Sequence, residues 1–117
     1  MKDAVRSVQL TGDIRKPMLT IHGSLDTLLP PKTDSNVYDR LINRAGRGQM
    51  HRYYRIEDGT HVDSLYNTYP DRLRPLLPCA RKAFTKLTAW VERGSRPPGS
   101  DFYPRPTSGD LVNRCSL

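Results

Sequence analysis

Cysteine is scarce in this sequence. Cys79 and Cys115 are the only two, far apart and without metal-ligand spacing, so a disulfide-dense scaffold and a zinc-built fold are both excluded. The pair leaves two states open: one disulfide pinning the C-terminal tail if the protein is exported, or two thiols in a reducing compartment. Long apolar runs are lacking too. No eighteen consecutive apolar residues occur, so no membrane span is expected. The opening residues, Met1-Lys2-Asp3-Ala4-Val5-Arg6, lack the apolar core of a signal peptide. The chain reads as cytoplasmic as written, or as part of a parent whose export signal lies upstream. There is no internal repeat and no run of five like charges, which removes solenoids and charged interaction tails.

What is present fits one small domain. The 117 residues are 36% hydrophobic and 26% charged, with ten prolines, leaner than an average globular domain but short of general disorder. A chain of this length buries only about two-thirds of its unfolded surface. Nineteen Lys and Arg against 12 Asp and Glu give a net charge of +7. That sign permits attraction to nucleic acid, yet the basic residues are scattered and no aromatic-basic interleaving or glycine-rich loop accompanies them. A basic surface with no specific nucleic-acid partner is expected. His22, His51 and His61 show no ligand spacing, so neither a metal nor a cofactor is expected.

Hydrophobic patterning divides the chain. Residues 1–16 are polar and aperiodic, a lead-in loop. Pro17-Met18-Leu19-Thr20-Ile21-His22-Gly23 is a short apolar run opened by Pro and closed by Gly, the pattern of a buried strand. A loop with Pro30-Pro31 follows, and Thr33 or Asp34 can cap a helix beginning near Ser35. Val37, Tyr38, Leu41, Ile42 and Ala45 recur at helical spacing, ending at Gly46 and Gly48. Residues 50–57 are rich in β-formers and stop at Asp58-Gly59; Tyr53 and Tyr54 alternate there, one for the core and one for the surface. Residues 64–77 read as irregular or single-turn helical. Pro78 suits the first turn of a longer helix with Ala80, Ala83, Phe84, Leu87, Trp90 and Val91 on its apolar face, closed by Gly94. Residues 95–117 form a Pro-rich tail, extended unless tied down.

Strand, helix, strand, helix in alternation predicts an α/β parallel sheet over residues 1–94. Two parallel strands alone leave faces and an inner edge uncovered, so the unit reads as one side of something larger.

Within that architecture, functional groups sit in loops beyond the C-terminal ends of parallel strands. Asp26 follows the first strand and His61 the second. Neighbouring strands lie about 5 Å apart, so their exit loops can bring a carboxylate to an imidazole. Such a carboxylate accepts the Nδ1 proton, fixes the tautomer and stabilises the imidazolium that forms when Nε2 takes a proton from a nucleophile. Gly23 and Gly59 would let the backbone turn sharply before each residue. A loop Asp or a loop His alone is usually structural; the ordered pair is more specific. Asp63 is expected to be solvated or helix-capping.

These segments resemble a known family. Ile21-His22-Gly23-Ser24-Leu25-Asp26 with Leu29-Pro30 is similar to the part of α/β-hydrolases that delivers the triad acid, and Asp58-Gly59-Thr60-His61 to the part that delivers the triad histidine. The resemblance runs from about Gly12 to Gly94. It implies the C-terminal portion of an α/β-hydrolase sheet, with Asp26 as catalytic acid and His61 as general base. Its flavour is that of bacterial esterases of the tannase, feruloyl esterase and hydroxybutyrate-oligomer hydrolase kind. Tannase-like enzymes often place a cysteine directly after the histidine, where this chain has Val62.

The nucleophile departs from the family pattern. No G-x-S-x-G elbow occurs; Ser7 is not in an elbow context, and Ser24 shares the loop of Asp26. The oxyanion-hole loop is missing as well. The resemblance therefore implies an ester hydrolase portion that is inactive alone, whose partner is an N-terminal hydrolase segment or a second copy, and whose substrate in the complete enzyme is a small ester. The competing reading is a non-catalytic interaction module or degenerate remnant that binds a partner through the exposed sheet edge.

Overall fold

The computed structural model describes residues 2–117. The Pro17-led apolar run forms strand β1, Met18–Gly23, and the β-former-rich segment forms β2, His51–Ile56. They pair in parallel from Met18 against His51 to Gly23 against Ile56. Helix α2, Ser35–Arg44, connects them; it follows a short N-terminal helix α1, Lys2–Val8. α2 begins at Ser35 without side-chain capping. The carbonyls of Pro31 and Asp34 instead accept from the amides of Asn36, Val37 and Tyr38, meeting the donors that a helix start leaves free. Helix α3, Leu77–Arg93, carries Pro78 in its first turn and ends at Gly94, whose φ of 68° makes the left-handed cap.

Several elements differ from the sequence-based expectation. Residues 2–8 are helical rather than a loop, although α1 buries none of its residues. The tail contributes a third strand, β3, Asp101–Tyr103, parallel to β2 from Tyr54 against Asp101 to Ile56 against Tyr103. The sheet order is β1-β2-β3. Tyr53 and Tyr54 are both buried, at 7% and 0% exposure, because both faces of the sheet are covered at β2. The Tyr53 hydroxyl meets α2 at Ser35 and Asn36, and the Tyr54 hydroxyl donates to Pro98 O at 2.7 Å. Burial, then the neighbouring Tyr103, push the Tyr54 phenol up to about 12.

The tail is tied down at several points. Cys79 and Cys115 form a disulfide with Cα atoms 5.1 Å apart, which decides the alternative that spacing left open. Arg74, only 2% exposed, donates from Nη1 to the carbonyls of Tyr103 (3.2 Å) and Pro104 (2.9 Å). The Arg105 amide donates to Glu57 at 2.8 Å, and its guanidinium to the carbonyls of Leu73 and Pro70. The main core, Tyr54, Ile56, Cys79, Ala83 and Leu117, therefore draws on sheet, α3 and tail together.

One side of this core is uncovered. Phe84 and Val91, assigned to the apolar face of α3, are 70% and 59% exposed. Phe84 lines an open cleft with Leu19, Ile21, Ala80, Ala83 and Leu87, beside the edge of β1 that no described strand pairs. The molecule is a slab 48 × 38 × 18 Å. Its accessible surface is 7946 Å² for 13.3 kDa, whereas a self-contained domain of that mass exposes about 6,400 Å². Its radius of gyration, 15.6 Å, likewise exceeds the roughly 13.4 Å of a compact chain this long.

Candidate active site

Two loops leave the C-terminal ends of β1 and β2 side by side, and backbone bonds stitch them together. The amide of Ser24 donates to Ile56 O, that of Leu25 to Gly59 O (both 2.8 Å), and that of Asp58 to Ser24 Oγ at 2.9 Å. Gly23 and Gly59 serve this contact differently from the expectation. Neither has positive φ; Asp58, at φ 59°, takes the left-handed position of the turn. The glycines matter because the backbones touch. A Cβ on Gly23 would lie 2.3 Å from the carbonyl carbon and oxygen of Gly59.

This contact brings Asp26 and His61 together. His61 Nδ1 lies 2.8 Å from Asp26 Oδ2. The acid is buried at 6% exposure, while 42% of the His61 side chain is open to solvent. No described residue hydrogen-bonds its Nε2, which leaves that nitrogen free to accept a proton from an approaching group. Asp26 Oδ1 accepts from the amides of Leu28 (3.0 Å) and Leu29 (2.9 Å). Burial, the largest influence, would raise its carboxyl; the Leu29 amide, His61 and the Leu28 amide together outweigh it and hold the carboxyl below its usual range. An ionised acid against Nδ1 fixes the tautomer that makes Nε2 a base.

A third residue was not foreseen at this site. His22, buried at the end of β1, places Nε2 3.1 Å from Asp26 Oδ2 and 2.8 Å from Leu29 O, while its Nδ1 meets Ser35 Oγ. The spacing His22-x-x-x-Asp26 was the available signal; the Ser35 contact had none, because it depends on α2 folding back over β1. Ser35, His22 and Asp26 thus form a serine-histidine-acid line, but one unfit for acyl transfer. Ser35 is 8% exposed, its Oγ is also occupied by Tyr53 Oη at 2.7 Å, and the imidazole is turned so that Nε2 rather than Nδ1 faces the acid.

The other candidates sit apart from the pair. Ser7 lies on α1 with its hydroxyl on Ala4 O, and Ser24 Oγ accepts the Asp58 amide. No serine among the described residues hydrogen-bonds His61. Asp63 has the capping role: its two oxygens accept from the amides of Leu76 (2.7 Å) and Leu77 (2.9 Å) at the start of α3. His51 is buried 31 residues from its partner Thr20, with Nε2 2.9 Å from Thr20 Oγ1 and Nδ1 3.0 Å from Asp39 Oδ1. No group of three metal-ligating side chains occurs among the described residues, and no described helix is long and apolar enough to cross a membrane.

The geometry defines a mixed α/β segment on a three-stranded parallel sheet. Its relation to a hydrolase comes from comparison with known proteins. Over 120 residues the chain is 30% identical to the D-(-)-3-hydroxybutyrate oligomer hydrolase of Polaromonas naphthalenivorans (strain CJ2), across 97% of this chain and 16% of that protein. The chain is therefore similar, along nearly all its length, to a small part of a hydrolase. No family model and no solved structure matches it.

Proposed function

We propose that this chain is the portion of an α/β-hydrolase-type serine esterase that supplies the triad acid, Asp26, and the triad histidine, His61, to a serine carried elsewhere. The observation that carries this reading is the 2.8 Å contact between the buried Asp26 carboxylate and His61 Nδ1, with His61 Nε2 left open. The surplus accessible surface and the unpaired edge of β1 support a covering hydrolase segment as the partner. The similar protein's name, a hydrolase of D-(-)-3-hydroxybutyrate oligomers, supports a small carboxylic ester as the substrate class.

In the complete enzyme, His61 Nε2 takes the serine proton as the oxygen attacks the ester carbonyl. Asp26 stabilises the imidazolium, and the proton passes to the departing alcohol. Water then repeats the sequence to release the acid. Alone, the chain should neither turn over a short acyl nitrophenyl ester nor react with a serine-directed phosphonate probe. Turnover that disappears in His61→Ala would overturn the claim that the serine comes from elsewhere. Grafted in place of the matching 16% of the Polaromonas hydrolase, the chain should support hydrolysis. That activity should fall by about a thousandfold or more in Asp26→Asn and in His61→Ala. A folded chimera whose rate is indifferent to both substitutions would refute the assignment.

A further inference from the structure

We propose that His22 is a positioning residue that aims the Asp26 carboxylate at His61 by donating its Nε2 proton to Asp26 Oδ2. The inference rests on reading Asp26 and His61 as an acid–base pair, and adds a member to it. Two acceptors converge on His22 Nε2: the Asp26 carboxylate at 3.1 Å and the Leu29 carbonyl at 2.8 Å. Neither can donate, so Nε2 must carry a proton. A neutral ring then presents a bare Nδ1, which the Ser35 hydroxyl meets as donor. Ser35 Oγ and Asn36 Oδ1, at 2.7 and 2.9 Å, both act as acceptors for the single proton of Tyr53 Oη. The two acceptors at Nε2 thus fix the His22 tautomer, and Ser35 satisfies the Nδ1 that it leaves bare.

The consequence falls on Asp26. Three donors from its own segment, the His22 ring and the amides of Leu28 and Leu29, take three of the carboxylate's acceptor directions. The direction left on Oδ2 is the one His61 Nδ1 uses. With all three in place the carboxylate cannot rotate, and a single orientation remains for the His61 ring. Without His22, Oδ2 loses its inner anchor and can swing from His61 at the cost of one bond. His22 is too buried to touch a substrate, at 8% exposure, so its influence passes through Asp26.

The chain has three histidines in all, which makes nitrogen-15 NMR of the imidazoles a direct test. In the unmodified chain at neutral pH, His22 should carry a proton on Nε2 and His61 on Nδ1. In His22→Ala the ratio of Nδ1–H to Nε2–H forms of His61 should fall about fivefold, the weight of one ordinary hydrogen bond. His22→Gln, whose amide can still donate, should recover most of it. His51, bonded to Thr20 and Asp39 at the opposite end of the strand pair, reports whether the fold is intact. If His22→Ala does not fold, His22→Phe, which fills the same space with a ring that cannot donate, should lower the His61 ratio in the same way. A wild-type His22 without a proton on Nε2 would overturn the proposal. So would a His61 tautomer ratio unchanged in folded His22→Ala or His22→Phe. None of these readouts needs turnover, so an inactive chimera would count against the esterase reading and leave this test standing.

Discussion

Gly23→Ala is the sharpest test of the loop contact on which the site depends. The added methyl would meet the Gly59 carbonyl carbon and oxygen at 2.3 Å, well inside van der Waals contact. Both atoms are backbone, so no side chain can rotate away and the two loops must part. Parting them strains or breaks Leu25 N to Gly59 O, Asp58 N to Ser24 Oγ, and His61 Nδ1 to Asp26 Oδ2. Overpacking costs about 1–3 kcal/mol, and each buried bond left unmade adds roughly 1 kcal/mol. A loss of about 3 kcal/mol is therefore expected, a large share of the roughly 5–15 kcal/mol that holds a domain folded. Urea unfolding followed by circular dichroism measures it. Gly99→Ala serves as the control, because a Cβ there meets nothing within 4 Å, and it should stay within about 0.5 kcal/mol of the parent. Equal unfolding midpoints for the two variants would refute the reasoning.

Two further predictions concern the tail and the response to acid. The disulfide joins residues 36 apart, for which loop-closure entropy gives about 4 kcal/mol; Cys79→Ala with Cys115→Ala should lower the urea midpoint accordingly, and an unchanged midpoint would refute it. The fold favours ionised Asp26, so that stability is complete above the usual carboxyl value near about 4 and is lost as pH falls below it. Acid unfolding of Asp26→Asn should accordingly be less steep than that of the parent. Burial, the largest influence on His51, keeps that ring neutral in the fold against the pull of Asp39. Its contribution is complete above about pH 6.5 and declines as pH falls. Urea midpoints measured between about pH 7.5 and 5.5 should drop in the parent and hardly move in folded His51→Gln.

The elements legible in the sequence were those whose burial is periodic. The Met18-to-Gly23 run, the α2 stripe and the Pro78-to-Gly94 helix declare themselves through apolar spacing and terminal Pro or Gly. β3 did not, because three residues, Asp101-Phe102-Tyr103, become a strand only by pairing with β2. α1 was invisible for the opposite reason: it is polar, and nothing is packed on it. Phe84 and Val91 carry the right spacing yet face outward, since periodicity marks a face that can be buried without saying what buries it. At the site, strand exits gave Asp26 and His61 from topology. His22 was hidden because its role depends on contacts with Leu29 and Ser35 that only the folded loop creates. The glycines were flagged for flexibility, whereas their value lies in having no side chain where two backbones touch.

The bond between Cys79 and Cys115 turns the last helix and the tail into a covalent ring. A protease that cuts once in the exposed stretch from residue 107 to 110 leaves one molecule rather than two, with both cut ends still attached. β3 keeps its place beside β2, and a non-reducing gel shows a single band of undiminished mass. Only a reductant releases the small C-terminal peptide. Nicking in an oxidising medium is thereby made silent, and the same nick becomes a loss of chain once thiols are present.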